Sequence, residues 1–262
     1  EVSVNIIKFA EIFCKLRALD EDGNVIVRHV KLYPHQRKQL IEFAKAIIEK
    51  DYDKFILLWS RQAAKTTSTA IFMAWCLCFQ IDFQIAILAN KGTTSVEVLD
   101  KVKDIFKELP FYMKSGVVNW NNKMFQLDNN AKIGAYPCTK DALNGRSINL
   151  LYVDEMAFTF DGDVEQQREF LSQAQPVLAA TKGILVISST PNGKDLFCEI
   201  YNNALLNKNN FRHSFVPWYM IPGRDDKWAK DVISLITAEK FAVQYELSFD
   251  VETNRILNSQ TM

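Results

Sequence analysis

Four short apolar runs constrain this chain more than any other feature: Phe55–Trp59, Gln84–Asn90, Asn149–Val153 and Ile184–Ile187. Each is too short for a helix, and longer segments with apolar residues at helical spacing separate them. Buried strands alternating with helices predict an α/β fold with a mainly parallel central sheet flanked by helices. In such sheets ligands gather at the carboxyl ends of the strands. Three of the runs end in polar, chemically capable residues. Ser60-Arg61-Gln62-Ala63-Ala64-Lys65-Thr66-Thr67 follows the first, Asp154-Glu155 the third, and Ser188-Ser189-Thr190-Pro191-Asn192-Gly193 the fourth. The topology therefore predicts that all three meet at one end of the sheet.

The octet from Ser60 to Thr67 sits between a strand pattern and a second apolar run, Ala70–Trp75. A tight turn carrying Lys-Thr in that setting is suited to cradling phosphate, because backbone N–H groups and the helix dipole both favour an anion at a helix start. Lys65 would reach the β- and γ-phosphates of a nucleoside triphosphate, and the Thr66 hydroxyl would take one Mg²⁺ position. The pattern G-x-x-x-x-G-K-[ST] is matched imperfectly, with Trp59 and Ala64 where glycines are expected. Alanine is compatible with the second position if φ there is negative. Taken alone, the octet also fits a Lys-Thr pair capping a buried helix, and its convergence with Asp154-Glu155 favours the nucleotide site. Asp154 is placed to hold the metal and Glu155 to orient or deprotonate an attacking water. Arg61 is a γ-phosphate contact or a surface ion pair. Gln36 is a purine-edge contact or a solvated helix residue.

The remaining segments read more simply. Apolar spacing predicts helices over Val4–Leu19, Arg37–Lys50, Thr94–Glu108, Glu165–Ala180 and Lys194–Leu206, and a strand over Val25–Val30. Asp128-Asn129-Asn130 marks the turn of a hairpin within Trp120–Ala135. From about Phe215 the chain is punctuated by Pro217, Pro222 and Gly223, then carries two short helical patterns, Lys227–Leu235 and Ala238–Leu247. This divides it into a core, 1–214, with an N-terminal helical extension, and a small helical unit, 215–262. Lys plus Arg and Asp plus Glu are 31 each, and the net charge of zero argues against a dedicated nucleic-acid clamp. Five cysteines form no disulfide pattern, which makes the cytosol the default compartment. His29, His35 and His213 lack zinc-site spacing. No apolar stretch is long enough to span a bilayer, and Glu1-Val2-Ser3 lacks the basic start of a signal peptide.

The order of motifs resembles the ATPase domain of the large terminase subunit of tailed phages, in particular the T4-like group. The resemblance rests on Phe9-Ala10-Glu11, Tyr33-Pro34-His35-Gln36, the octet, Leu88-Ala89-Asn90-Lys91-Gly92, Glu97-Val98-Leu99-Asp100, Leu127-Asp128-Asn129, Ile133-Gly134-Ala135-Tyr136, Tyr152-Val153-Asp154-Glu155-Met156-Ala157-Phe158 and Ser189-Thr190-Pro191-Asn192-Gly193. Phosphate loops of that family also lack the first glycine and carry Ser-Arg-Gln. The resemblance implies a RecA/ASCE-type P-loop ATPase that uses ATP and Mg²⁺ to translocate double-stranded DNA into a procapsid. It makes Gln36 the adenine contact, assigns Ser60 to Thr67 to the nucleotide, Thr66 and Asp154 to the metal, and makes Glu155 the catalytic carboxylate with Lys65 and Arg61. Ser189-Thr190-Pro191 would be the coupling motif and 215–262 the lid or linker. Implied partners are double-stranded DNA, a portal protein, a small terminase subunit and further copies in a ring, a pentamer when docked, in the host cytoplasm without membrane contact. Lys101, Lys103, Lys107, Lys123 and Lys132 are candidate DNA-facing charges. Asn144 stands where the family carries an arginine, and Arg146 is the substitute for a trans-acting arginine. The RNase H-like nuclease that follows in the family has no counterpart in this sequence, so DNA cleavage is not expected. Other readings are a helicase-like P-loop ATPase and a nucleotide-binding assembly module without turnover.

Overall fold

The computed structural model describes residues 5–19, 22–49, 54–139, 141–143 and 145–250. Asn144 and 251–262 lie outside them, as do Val4 and Lys50, which ended two of the expected helices. The chain opens with a single turn, α1 (Ile6–Lys8), capped by the Asn5 side chain and continued by a π-helical turn, Phe9–Phe13. An antiparallel ribbon follows, β1 (Lys15–Leu19) on β2 (Val25–His29). The helix expected over Val4–Leu19 is therefore cut short. Its second half pairs with the exposed β2, a cross-strand partner that helical spacing cannot reveal.

Then come α2 (Pro34–Glu49), β3 (Lys54–Trp59), α3 (Lys65–Phe79), β4 (Gln84–Ala89) and α4 (Gly92–Glu108). A meander of β5 (Val117–Asn121), β6 (Met124–Leu127) and β7 (Lys132–Pro137) precedes β8 (Leu150–Asp154), α5 (Val164–Thr181), β9 (Ile184–Ser189), α6 (Leu196–Leu205) and β10 (Arg212–Val216). Two short helices, α7 (Asp226–Ile236) and α8 (Ala238–Phe241), lead into a π-helical turn, Ala242–Glu246. The eight-stranded sheet has the order β10-β3-β9-β8-β4-β7-β6-β5. It is parallel from β10 to β7 and turns antiparallel only in the β5–β6–β7 meander.

The sheet is buried on both faces, which is why β3, β4, β8 and β9 read as near-continuous apolar runs. Alternation sorts their side chains into two cores. Phe55, Leu57 and Trp59 join Ile85 and Ile87 beneath Phe43, Phe72, Trp75 and Leu99 of α2, α3 and α4. Ile56 and Leu58 join Leu88, Leu151 and Val153 beneath Phe170 and Phe197 of α5 and α6. The hairpin turn at Asp128–Asn130 is present between β6 and β7, and a tighter one at Asn122-Lys123 adds β5. The sequence pattern does not reveal β10: its residues, Arg-His-Ser-Phe-Val, are half polar because it is an edge strand, and it runs through the boundary placed at 215. Among the described residues no helix is long and apolar enough to cross a membrane.

Asp195 caps α6, its Oδ1 accepting the Cys198 N–H at 2.9 Å. Its Oδ2 is buried with no hydrogen-bond partner among the described residues, and burial pushes the carboxyl pKa up to about 6 despite the cap. An acid whose folded pKa lies above its unfolded value binds more protons folded than unfolded, so its cost is present at pH 7 and is relieved as pH falls through 6 toward 4. Asp195→Asn keeps a competent cap and removes that charge. Thermal melts should show it more stable at pH 7, by roughly 1–2 kcal/mol, and equal to wild type near pH 4.

Candidate active site

The carboxyl ends of β3, β8 and β9 lie side by side, because these strands are parallel neighbours in register. Lys65 begins α3 directly after the loop that leaves β3. Its side chain is 9% exposed, and Nζ donates to Glu155 Oε1 at 3.0 Å with Asp154 Oδ1 at 3.8 Å. Consecutive strand residues normally point to opposite faces. Glu155 adopts a left-handed conformation (φ 50°, ψ 47°) that breaks β8 and lets two successive carboxylates approach one ammonium.

Each carboxylate has a distinct shell. Asp154 Oδ1 accepts from the Tyr152 hydroxyl at 2.7 Å and from Ser188 Oγ at 2.9 Å. Glu155 Oε2 accepts from Ser189 Oγ at 3.3 Å, and the Thr190 backbone N–H also bonds this carboxylate. Burial works to raise the Glu155 pKa, but the Lys65 charge and hydrogen bond, with Thr190 and Ser189, outweigh it and hold the group below the usual carboxylate range. Burial likewise works against the Lys65 charge, and the two carboxylates outweigh it, so its pKa is raised. Burial is also the main cause of the Tyr152 hydroxyl's raised pKa, with the charge of Asp154 adding to it.

The loop from Ser60 to Ala64 is built without glycine, yet Gln62 (φ 58°) and Ala64 (φ 61°) are both left-handed. The negative φ that would suit alanine here is not what is found: Ala64 takes a left-handed conformation of the kind that glycine adopts most readily. Tethers from outside hold it. His35 Nε2 donates to the Ala63 carbonyl at 3.0 Å, its ring edge-on to Trp59. Burial lowers the His35 pKa, opposed in part by that bond. Arg224 Nη2 donates to the carbonyls of Arg61 (3.1 Å) and Gln62 (3.3 Å), and the Arg61 N–H donates to Gln244 O. Sequence reasoning assigns a role to neither His35 nor Arg224. His35 lies within a quoted motif, whereas Arg224 and Arg61, 163 positions apart in sequence, leave no local signal.

Of the remaining candidates, Ser60 is buried with its hydroxyl unpartnered among the described residues. Thr66 and Thr67 are half-buried in the first turn of α3, and Arg61 is exposed. Gln36 is buried beside that turn, donating to Ser68 Oγ at 3.0 Å while its carbonyl accepts the Tyr33 N–H. Ser189 and Thr190 contact Glu155, and Pro191 follows directly, so the third motif does reach the site. Arg146 does not. It lies on the loop between β7 and β8, stacked on Tyr136 and bonded to its hydroxyl and to the Ala142 carbonyl. Of the candidate DNA-facing lysines, Lys103 is 4% exposed and bonded to Asp100, Asn121 O and Asn122 O, which withdraws it from the surface.

Residues 56–259 match the model of the family described as terminase large subunit, T4likevirus-type, N-terminal. The chain belongs to this family. The terminase fold is also found in solved structures. The large terminase ATPase domain of Thermus phage P74-26 aligns with a TM-score of 0.60 at 16% identity, over 84% of this chain and all of that one. The HK97 bacteriophage large terminase aligns at 0.68 and 18%, over 94% of this chain and 54% of that one. The large terminase of a thermophilic bacteriophage, solved in complex with ADP, aligns at 0.65 and 14%, over 83% of this chain and 54% of that one. This terminase chain thus spans about half the length of the last two.

If the left-handed turn at Ala64 carries strain, glycine relieves it. A left-handed L-residue costs about 1–2 kcal/mol, and the greater chain entropy of unfolded glycine offsets roughly 0.5–1 kcal/mol of that gain. Ala64→Gly should therefore unfold at slightly higher denaturant, by about 0.5–1 kcal/mol. A loss of stability would show the loop to be unstrained.

Proposed function

We propose that this terminase domain binds and hydrolyses ATP at the Lys65–Asp154–Glu155 cluster and that turnover drives double-stranded DNA into a procapsid. One observation carries the reading: the ammonium at the start of α3 meets both carboxylates at the end of β8. With nucleotide bound, Lys65 turns to the β- and γ-phosphates, with Arg61 beside it and the Ser60 to Thr67 backbone around the phosphate chain. Gln36 and the Tyr33 segment are adjacent for the base. The donor set fits Mg²⁺, which takes hard oxygen ligands, needs few from protein and uses phosphate oxygens for others. Thr66 would supply a hydroxyl and Asp154 a carboxylate already oriented by Tyr152 and Ser188. Bound there, the metal would neutralise developing phosphate charge.

Glu155 then works as the base. While Lys65 holds it, its proton affinity is low. Once Lys65 engages phosphate, the desolvation that remains raises that affinity, so the base strengthens when substrate is in place. Ser189 and Thr190, bonded to this carboxylate, give the hydrolysis step a direct route to β9 and the segment after it, in keeping with a coupling role for Ser189-Thr190-Pro191. Residues 215–250 are read as part of the lid or linker. Arg146, on the loop between β7 and β8, is available to a neighbouring copy in a ring. Portal, small terminase subunit and DNA are the partners proposed, in the host cytoplasm, and no DNA cleavage is proposed for this chain.

Glu155→Gln should lower the rate of phosphate release by about 10²–10⁴-fold while MgADP binding persists. Wild-type turnover in the variant would remove Glu155 from catalysis, and failure of wild type to bind nucleotide would remove the reading altogether.

A further inference from the structure

Arg224 belongs to the C-terminal unit, yet among the described residues both of its side-chain hydrogen bonds go to the phosphate loop. Its guanidinium lies 4.5 Å from the Trp228 ring centroid and 5.7 Å from that of Tyr245. Those rings form an aromatic cluster with Trp218 and Phe241. Burial lowers the Arg224 pKa, and Nη1 is buried with no partner among the described residues. A guanidinium with a donor left over is positioned by its stack and its two carbonyls rather than by its own solvation. Those two carbonyls belong to the peptides on either side of Gln62, one of the left-handed residues. In a trans peptide the N–H points opposite the C=O. Holding both carbonyls from outside therefore turns the Gln62 and Ala63 N–H groups to the inner side of the loop, where Ala63 N–H meets Ser60 O.

Resting on the nucleotide-site reading above, we propose that Arg224 is a positioning residue for that site. It sets the peptide planes of a glycine-free phosphate loop and makes the C-terminal unit a structural part of nucleotide binding. A rigid, planar guanidinium that stacks while it donates is what a lysine cannot supply. Lysine would reach one carbonyl and lose the stack.

The test uses the 262-residue chain and its Arg224→Ala and Arg224→Lys variants. MgADP affinity is measured by titration, KM and kcat for ATP by phosphate release, and stability by thermal melts. The expected result is that Arg224→Ala weakens MgADP binding and raises KM by about tenfold or more, with kcat changed far less. Arg224→Lys should restore the melting temperature and only part of the affinity. A purely structural role would lower the melting temperature and leave the KM of folded Arg224→Lys at the wild-type value. That outcome, or wild-type affinity in Arg224→Ala, overturns the proposal while wild-type nucleotide binding leaves the site reading intact. Absence of nucleotide binding in the wild-type chain overturns both.

Discussion

A buried ammonium between two carboxylates is the interaction on which the architecture of this site depends. Lys65, Asp154 and Glu155 come from two strand ends that are adjacent only through β9. An ion this deeply desolvated is stable only while its partners remain in place, and removal of one partner strands the others. The register of β3, β9 and β8 is therefore tied to the chemistry, because a one-residue slip would turn Asp154 to the other face. The hydroxyls of Tyr152 and Ser188 spread the negative charge over buried donors. In the arrangement seen, the lysine and the base occupy each other, so each neutralises the other's charge.

The loop that presents Lys65 solves a second problem. It follows a left-handed path with glutamine and alanine where glycine would be free of strain. Its carbonyls are gripped in sequence by Arg224, Arg224 again and His35. The backbone conformation that glycine would adopt readily is here held by contacts with α2 and with the segment that follows β10.

Much of this was legible in the sequence wherever a residue acts through its immediate neighbours. The four apolar runs marked β3, β4, β8 and β9 because strands buried on both faces need no cross-strand information to be recognised. The meeting of Lys65 with Asp154 and Glu155 was legible because the turn and the strand end that carry them are local patterns, and the approach of Ser189 because its motif too ends a strand. The edge strand β10 was missed and β1 was read as helix, while its partner β2 was expected as a strand, since Lys15–Leu19 fits more than one period and a half-polar edge strand alternates weakly. The sign of φ at Ala64 depends on tethers that are distant in sequence. Lys103 looked like any surface lysine until β5 folded over it.

The pairing of β10 with β3 has a mechanical consequence. Val216 stands opposite Trp59, and the Ser60 N–H donates to the Val216 carbonyl at 2.9 Å. The chain thus departs for its C-terminal helices from the same level at which it departs for the phosphate loop, with Pro217 as the first residue past the strand. The first residue of the loop and the last of β10 are therefore bonded to each other, so the position of one bears directly on the residue from which the C-terminal helices depart.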